Sequence, residues 1–336
     1  MPGRFAILGA LVLVAGCSFP EPTATEPVTS PSSTTTAPGS SVGSSATSTS
    51  TAPATPSTTT PLGPPVAWLT TTGIPVAVTG VDGDVIEILT PCGYPARVDA
   101  GTPVYEVDVV IDPGHGGPVD TGAVGSNGLE EKQVNLEVGL AVQAELEERG
   151  IASLLTRNAD YPVPIRTRTT YSDLMGARAL VSIHHNAPGA NASEIPGVEI
   201  FVQDGSAESQ RLGGLLYEAS METLSGFAVD WDRAPDAGVM TVLNSSGDDA
   251  YGMVRRPEAP SALVELGYIA NPAEAELYAT PEYAPTVAAA IADGIEAFLL
   301  TEETGAPLAE GRIFNPQPGV GQDQCVEPDL GALVDG

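Results

Sequence analysis

The chain has 336 residues and sets 43 acidic side chains against 13 basic ones, a formal net charge of −30. That balance excludes nucleic-acid binding, which rests on neutralising phosphates, and electrostatic docking on an anionic surface. All three histidines fall in two short motifs, His115 in VVIDPGHGG (Val109 to Gly117) and His184 and His185 in LVSIHHNA (Leu180 to Ala187).

Residues 1–17 read as an export signal. Arg4 supplies the positive start, and the apolar run Phe5 to Val14 is too short to span a bilayer. The run ends at Val14-Ala15-Gly16-Cys17, which resembles a bacterial lipoprotein box. The resemblance implies cleavage before Cys17, lipidation of that cysteine and anchorage at the outer face of the cell membrane. The alternative is an ordinary cleaved signal with an accidental cysteine. Residues 18–65 are Ser, Thr, Pro, Ala and Gly with almost no large apolar side chains, a tether that cannot bury a core. Extended, such a segment reaches on the order of 100 Å.

Residues 66–106 are rich in Val, Ile and Thr and punctuated by glycine, which predicts a small β module. Ile74 to Val78 and Val85 to Leu89 form its hairpin about Val81-Asp82-Gly83-Asp84. It either recognises substrate or covers a sheet edge. From Val107 strands alternate with helices. Val107 to Asp112 is an apolar strand, and Leu129 to Arg149 is a helix with Val134, Val138, Val142 and Leu146 on one face. Strands follow at Ile151 to Thr156, Leu180 to Ile183, Val198 to Val202 and Ala262 to Leu266. Helices are expected at Ser172 to Ala179, Ser209 to Leu224 and Pro285 to Leu300. The order predicts an α/β fold over 107–300, with a mainly parallel twisted sheet flanked by helices. Residues 301–336 read as a loop-like tail. Cys92 and Cys325 either pair in an oxidising compartment, pinning that tail, or stay free thiols.

Sites in open α/β sheets form at the C-terminal ends of strands. His115 follows one strand, His184 ends a second, and Glu265 lies near the end of a third, inside the apolar run LVELGYIAN (Leu263 to Asn271). A carboxylate there needs a partner or a ligand, and Arg168 or Arg178 could pair with it. Each residue alone has a structural reading, but the combination in one exported α/β domain points to a metal site.

These motifs, with GLEEKQVNLEV (Gly128 to Val138) and LTRNAD (Leu155 to Asp160) between them, resemble the zinc-dependent N-acetylmuramoyl-L-alanine amidases of the amidase-3 type from about Val107 to Leu300. The resemblance implies that His115, Glu131 and His184 hold Zn²⁺, that Glu265 is the catalytic glutamate, and that Arg168 matches a recurring arginine. Adjacent helical residues diverge by about 100°, so Glu130 and Glu131 cannot both serve, and the motif takes Glu131. His185 stands where the family has a small residue. Strand alternation turns it away from the His184 face, as a packing residue or a contact at the groove edge. About ten residues separate His185 from Gly197, which leaves no room for a large inserted plug. The implied function is hydrolysis of the amide between N-acetylmuramic acid and L-alanine of the stem peptide, by a monomer acting in the cell wall on peptidoglycan. Alternatives are a zinc peptidase acting within the stem peptide and a non-catalytic wall-binding lipoprotein.

Overall fold

In a computed structural model, residues 63–187, 192–316, 319 and 321–334 are described. The expected signal, Cys17 and nearly all of the tether lie outside the described residues.

The first sheet is the β module. Its strands β1 (Ala67–Leu69), β2 (Pro75–Asp82), β3 (Val85–Leu89), β4 (Pro95–Val98) and β5 (Thr102–Val104) pair antiparallel in the order β4-β3-β2-β1-β5. The β2–β3 hairpin is tighter than its composition suggested, because β2 runs on through Val81 and Asp82 and pairs Asp82 with Val85. Gly83, at φ 63°, then makes the turn.

The second, larger sheet contains β6 (Val109–Pro113), β7 (Ser153–Leu155), β8 (Ala179–Asn186), β10 (Glu199–Val202), β12 (Gly238–Met240) and β14 (Ser261–Tyr268), in the order β12-β10-β14-β8-β6-β7. All neighbours are parallel except β10 and β14. Short pairs β9 (Ala192–Ser193) with β11 (Trp231–Asp232), and β13 (Val242–Leu243) with β15 (Arg312–Ile313), lie outside it. The last pairing shows that the tail is not wholly loop: it adds a parallel strand to the domain.

Alternation along the strands sorts side chains to two faces. Val109, Ile111, Val181, Ile183, Ile200 and Val264 meet the helices α1 (Glu131–Glu148), α3 (Ala207–Leu224) and α6 (Tyr283–Leu300) in one buried cluster. On the other face Val110, Leu154, Leu180, Phe201 and Leu263 meet α2 (Ile165–Met175), α4 (Gly252–Arg255) and Ala67 and Ala77 of the β module. The short helix α5 (Pro272–Tyr278) follows β14. The module packs on that second face, not at the sheet edge, and Val76 and Ile88 share a further cluster with Tyr161, Val163 and, from the tail, Leu330. Cys92 and Cys325 are joined by a disulfide across 233 residues.

The helix expected at Ser172 to Ala179 starts earlier, at Ile165, and ends at Gly176 in the left-handed conformation. Its buried side chains include Thr167, Arg168, Thr169 and Ser172. A helix whose inner face is polar carries no apolar periodicity to read.

Candidate active site

Four sequence motifs converge at the C-terminal end of the sheet, three from strand ends and one from the start of α1. Strand register carries Asp112, Ser182 and Leu263 abreast, and one pleat further His184, Glu265 and Glu199 abreast. His115 sits just past β6 and is the one non-glycine residue with positive φ among the described residues, at 61°. That conformation is costly for a side chain bearing Cβ and persists only where its surroundings enforce it. Here they do. Arg168 donates from Nη2 to the His115 carbonyl at 2.6 Å, from Nη1 to the Pro113 carbonyl at 2.8 Å, and from Nη1 to Asp112 Oδ1 at 2.7 Å. Arg157 donates to the carbonyls of Pro113 and Gly114, both at 2.9 Å. Burial penalises the Asp112 carboxylate, but Arg168, with hydrogen bonds from Ser182 and Thr156, holds its pKa below the ordinary value. Arg168 therefore serves Asp112 and the His115 loop, not Glu265, and Arg178 faces Asp108 at 3.5 Å.

Glu131 opens α1, with Glu130 as the cap residue outside it. Its Oε1 lies 3.2 Å from His115 Nε2 and 3.0 Å from His184 Nδ1. The donor atoms of all three residues fall within 4.8 Å of one another. Glu130 faces Lys132 at 3.4 Å instead. Two glycines make the approach possible. A Cβ on Gly114 would stand 2.2 Å from His184 Cε1, and one on Gly122 would stand 2.5 Å from Glu131 Oε2.

Around this trio the supporting contacts are hydrogen bonds that sequence reasoning did not single out. Asp120 Oδ1 is 2.5 Å from His115 Nδ1, so the ring turns Nε2 toward Glu131. The Ala123 N–H donates to Glu131 Oε2 at 2.8 Å, and Asn135 Nδ2 donates to Oε1 at 3.3 Å. Their only signal in sequence is proximity to the motifs. Burial opposes the charged form of His115, yet hydrogen bonds and charge from Asp120 and Glu131 push it up to about 10. Burial likewise works against the Glu131 carboxylate, and the two imidazoles hold it well below the carboxylate range. This is a corner that attracts a cation. Two imidazoles and one carboxylate are a donor set suited to zinc in hydrolytic sites, with an outer carboxylate on one histidine. The residues present fit that ion.

Glu265 is 9% exposed, and its Oε2 is buried without a hydrogen-bond partner among the described residues. Burial, then repulsion from Glu131 and Glu199, raises its pKa well above the ordinary value. A buried carboxyl with an oxygen free of hydrogen bonds, beside that trio, is a group that can exchange a proton there.

His185 points to the other face, as alternation predicts. It is fully buried, with Nδ1 2.7 Å from Asn135 Oδ1 and Nε2 2.7 Å from the Tyr283 hydroxyl. Burial drives its pKa down to about 3. Its ring packs, but its backbone N–H donates to Glu131 Oε1 at 3.2 Å.

His115, His184 and Glu265 line a groove of about 940 Å³ between α2, α4 and the tail. No helix intervenes between β8 and β10 among the described residues.

The centre has the parts a metal-assisted hydrolase needs. The profile of the N-acetylmuramoyl-L-alanine amidase family of the amidase-3 type matches residues 109–297, and the chain belongs to that family. N-acetylmuramoyl-L-alanine amidase AmiA of Escherichia coli (strain K12) is 30% identical over 217 residues, covering 56% of this chain and 74% of that protein. Among solved structures, Cwp6 from Clostridium difficile is similar with a TM-score of 0.51 and 28% identity, over 58% of this chain and 29% of that one. An N-acetylmuramoyl-L-alanine amidase from Clostridium difficile 630 shares the fold at 22% identity and a TM-score of 0.50, over 59% of this chain and 99% of that one.

Proposed function

We propose that this family member is a zinc-dependent peptidoglycan amidase that cuts the bond between the lactyl group of N-acetylmuramic acid and L-alanine of the stem peptide. The observation that carries the reading is the convergence of His115, Glu131 and His184 within 4.8 Å, beside the unpartnered Oε2 of Glu265. His115, Glu131 and His184 would hold the ion, which when bound supplies a Lewis acid for the amide carbonyl and acidifies water toward a pKa of about 7.

The chain's own residues do the rest. Glu265 accepts a proton from the attacking water through its free oxygen and returns it to the departing amine. Asp120 fixes the tautomer and direction of His115. The N–H groups of Ala123 and His185 fix Glu131, so its charge does not swing with the substrate. Arg168 and Arg157 hold the strained loop that carries His115. Residues 1–17 would export the chain, Cys17 would anchor it by lipid, and the 18–65 tether would carry 107–300 into the wall.

Mass spectrometry of purified peptidoglycan digested by the protein tests the reading. Intact stem peptides with a free L-alanine amine, beside bare glycan, are expected. Release of residues from within the stem would identify a peptidase, and binding without hydrolysis a wall-binding protein.

A further inference from the structure

The groove wall carries charge of the sign the chain otherwise avoids. Of only 13 basic residues in a chain of net charge −30, Arg166, Arg168, Arg255 and Arg256 line the groove that holds His115, His184 and Glu265. Two of them are committed elsewhere. Arg168 is spent on Asp112 and the His115 loop. Arg255 donates from Nη1 to the carbonyls of Asp249 and Ala250. Arg166 and Arg256 are different. Both are exposed, and neither guanidinium has a hydrogen-bond or ion-pair partner among the described residues.

The two come from neighbouring elements. Arg166 is in the first turn of α2, and Arg256 directly follows α4. A Cβ built on Gly252 would meet Ile165 Cγ2 at 2.8 Å and Arg256 Nε at 3.4 Å. Arg256 therefore folds back along the seam between α4 and α2, where Ile165 and Arg166 lie. An acidic protein repels anions as a whole. Two unpaired guanidinium groups on the wall of its groove, which Asp112, Asp120 and Glu265 also line, supply local positive charge of the kind that pairs with carboxylates.

We propose that Arg166 and Arg256 form a subsite for the carboxylates of the stem peptide, so that the enzyme selects acidic peptide as the portion leaving the amide bond. The proposal rests on the amidase reading above. The glycan portion is neutral and has no use for such a pair. A peptide in the groove places a carboxylate two or three residues beyond the cut roughly 7–10 Å away, at an extended rise of about 3.3 Å per residue. The subsite sets specificity and takes no part in bond breaking.

The test compares two soluble peptidoglycan fragments, identical except that the stem carboxylates are free in one and amidated in the other. Wild-type protein should prefer the free acid roughly tenfold in kcat/KM, given two solvent-accessible charge pairs. The preference should reside in KM and shrink with added salt. The double variant Arg166→Gln/Arg256→Gln should lose the preference through KM while cleaving the amidated fragment as wild type does. Arg166→Lys/Arg256→Lys should keep part of it, which separates lost charge from lost fold. Arg97→Gln, on the β module outside the groove, should keep all of it.

Equal wild-type rates on both fragments would overturn the subsite, and so would a double variant that still prefers the free acid. Competition by a soluble glycerol-phosphate polymer, without any effect of amidation, would assign the pair to wall-polymer phosphates and likewise overturn it. No cleavage of either fragment by zinc-loaded wild type would instead remove the amidase reading.

Discussion

Glu199 and Glu265 stand opposite each other on β10 and β14, and the guanidinium of Arg312 closes on Glu199 from the tail. Arg312 lies beyond residue 297, where the family match ends. Glu199 is fully buried and also accepts from Asn186 Nδ2 at 2.8 Å. Without its cation, a second uncompensated carboxylate would lie beside Glu265. Arg312 is 28% exposed and is shared with Asp236, so Arg312→Ala should cost about 1–3 kcal/mol in urea unfolding, less than breaking a fully buried pair. Arg312→Lys should recover part of that loss.

The tail is tied down a second time by the Cys92–Cys325 disulfide, which closes 233 residues. A crosslink of that span restricts the unfolded chain strongly. Cys92→Ser should lower stability by about 3–5 kcal/mol, read as a fall in the denaturant midpoint. Reducing agent should lower wild type to the level of the variant.

Glu274 supplies a pH signature away from the reacting centre. Burial pushes its carboxyl up to about 7, although the N–H groups of Tyr268 and Asp232 and the Tyr278 hydroxyl all donate to it. The folded pKa lies above the ordinary 4.5, so the folded state holds this proton more tightly than the unfolded chain. The contribution is full below about 4.5 and is lost as pH rises through about 7. Stability profiles of wild type and Glu274→Gln should differ in slope across that window and run parallel above it.

Much of this was legible in sequence, for reasons that particular residues show. Val134, Val138, Val142 and Leu146 announce α1 because its buried face is apolar, whereas α2 buries Thr167 and Arg168 and stayed hidden over its first half. His115, Glu131, His184 and Glu265 stand in recognisable motifs, and the fold brings them together. Asp120, Asn135 and Arg157 matter only through contacts made in three dimensions. The Glu199–Arg312 pair spans 113 residues, and nothing near Arg312 in sequence announces its partner.

Glu265→Gln keeps the shape of the side chain and removes its basicity. Turnover should fall by on the order of 10³-fold, the range for a lost general base, while zinc content stays at the wild-type level. Assays of stem-peptide release beside metal content check both. Wild-type turnover in this variant would remove Glu265 from its assigned role.

Zinc stoichiometry of purified wild type and His184→Ala, measured by elemental analysis, tests the central claim most directly. About one zinc per wild-type chain and almost none in the variant is the predicted result, since the variant leaves one imidazole and one carboxylate, too few protein ligands for such a site. Full zinc occupancy in His184→Ala would contradict the assignment of His115, Glu131 and His184 as the metal site.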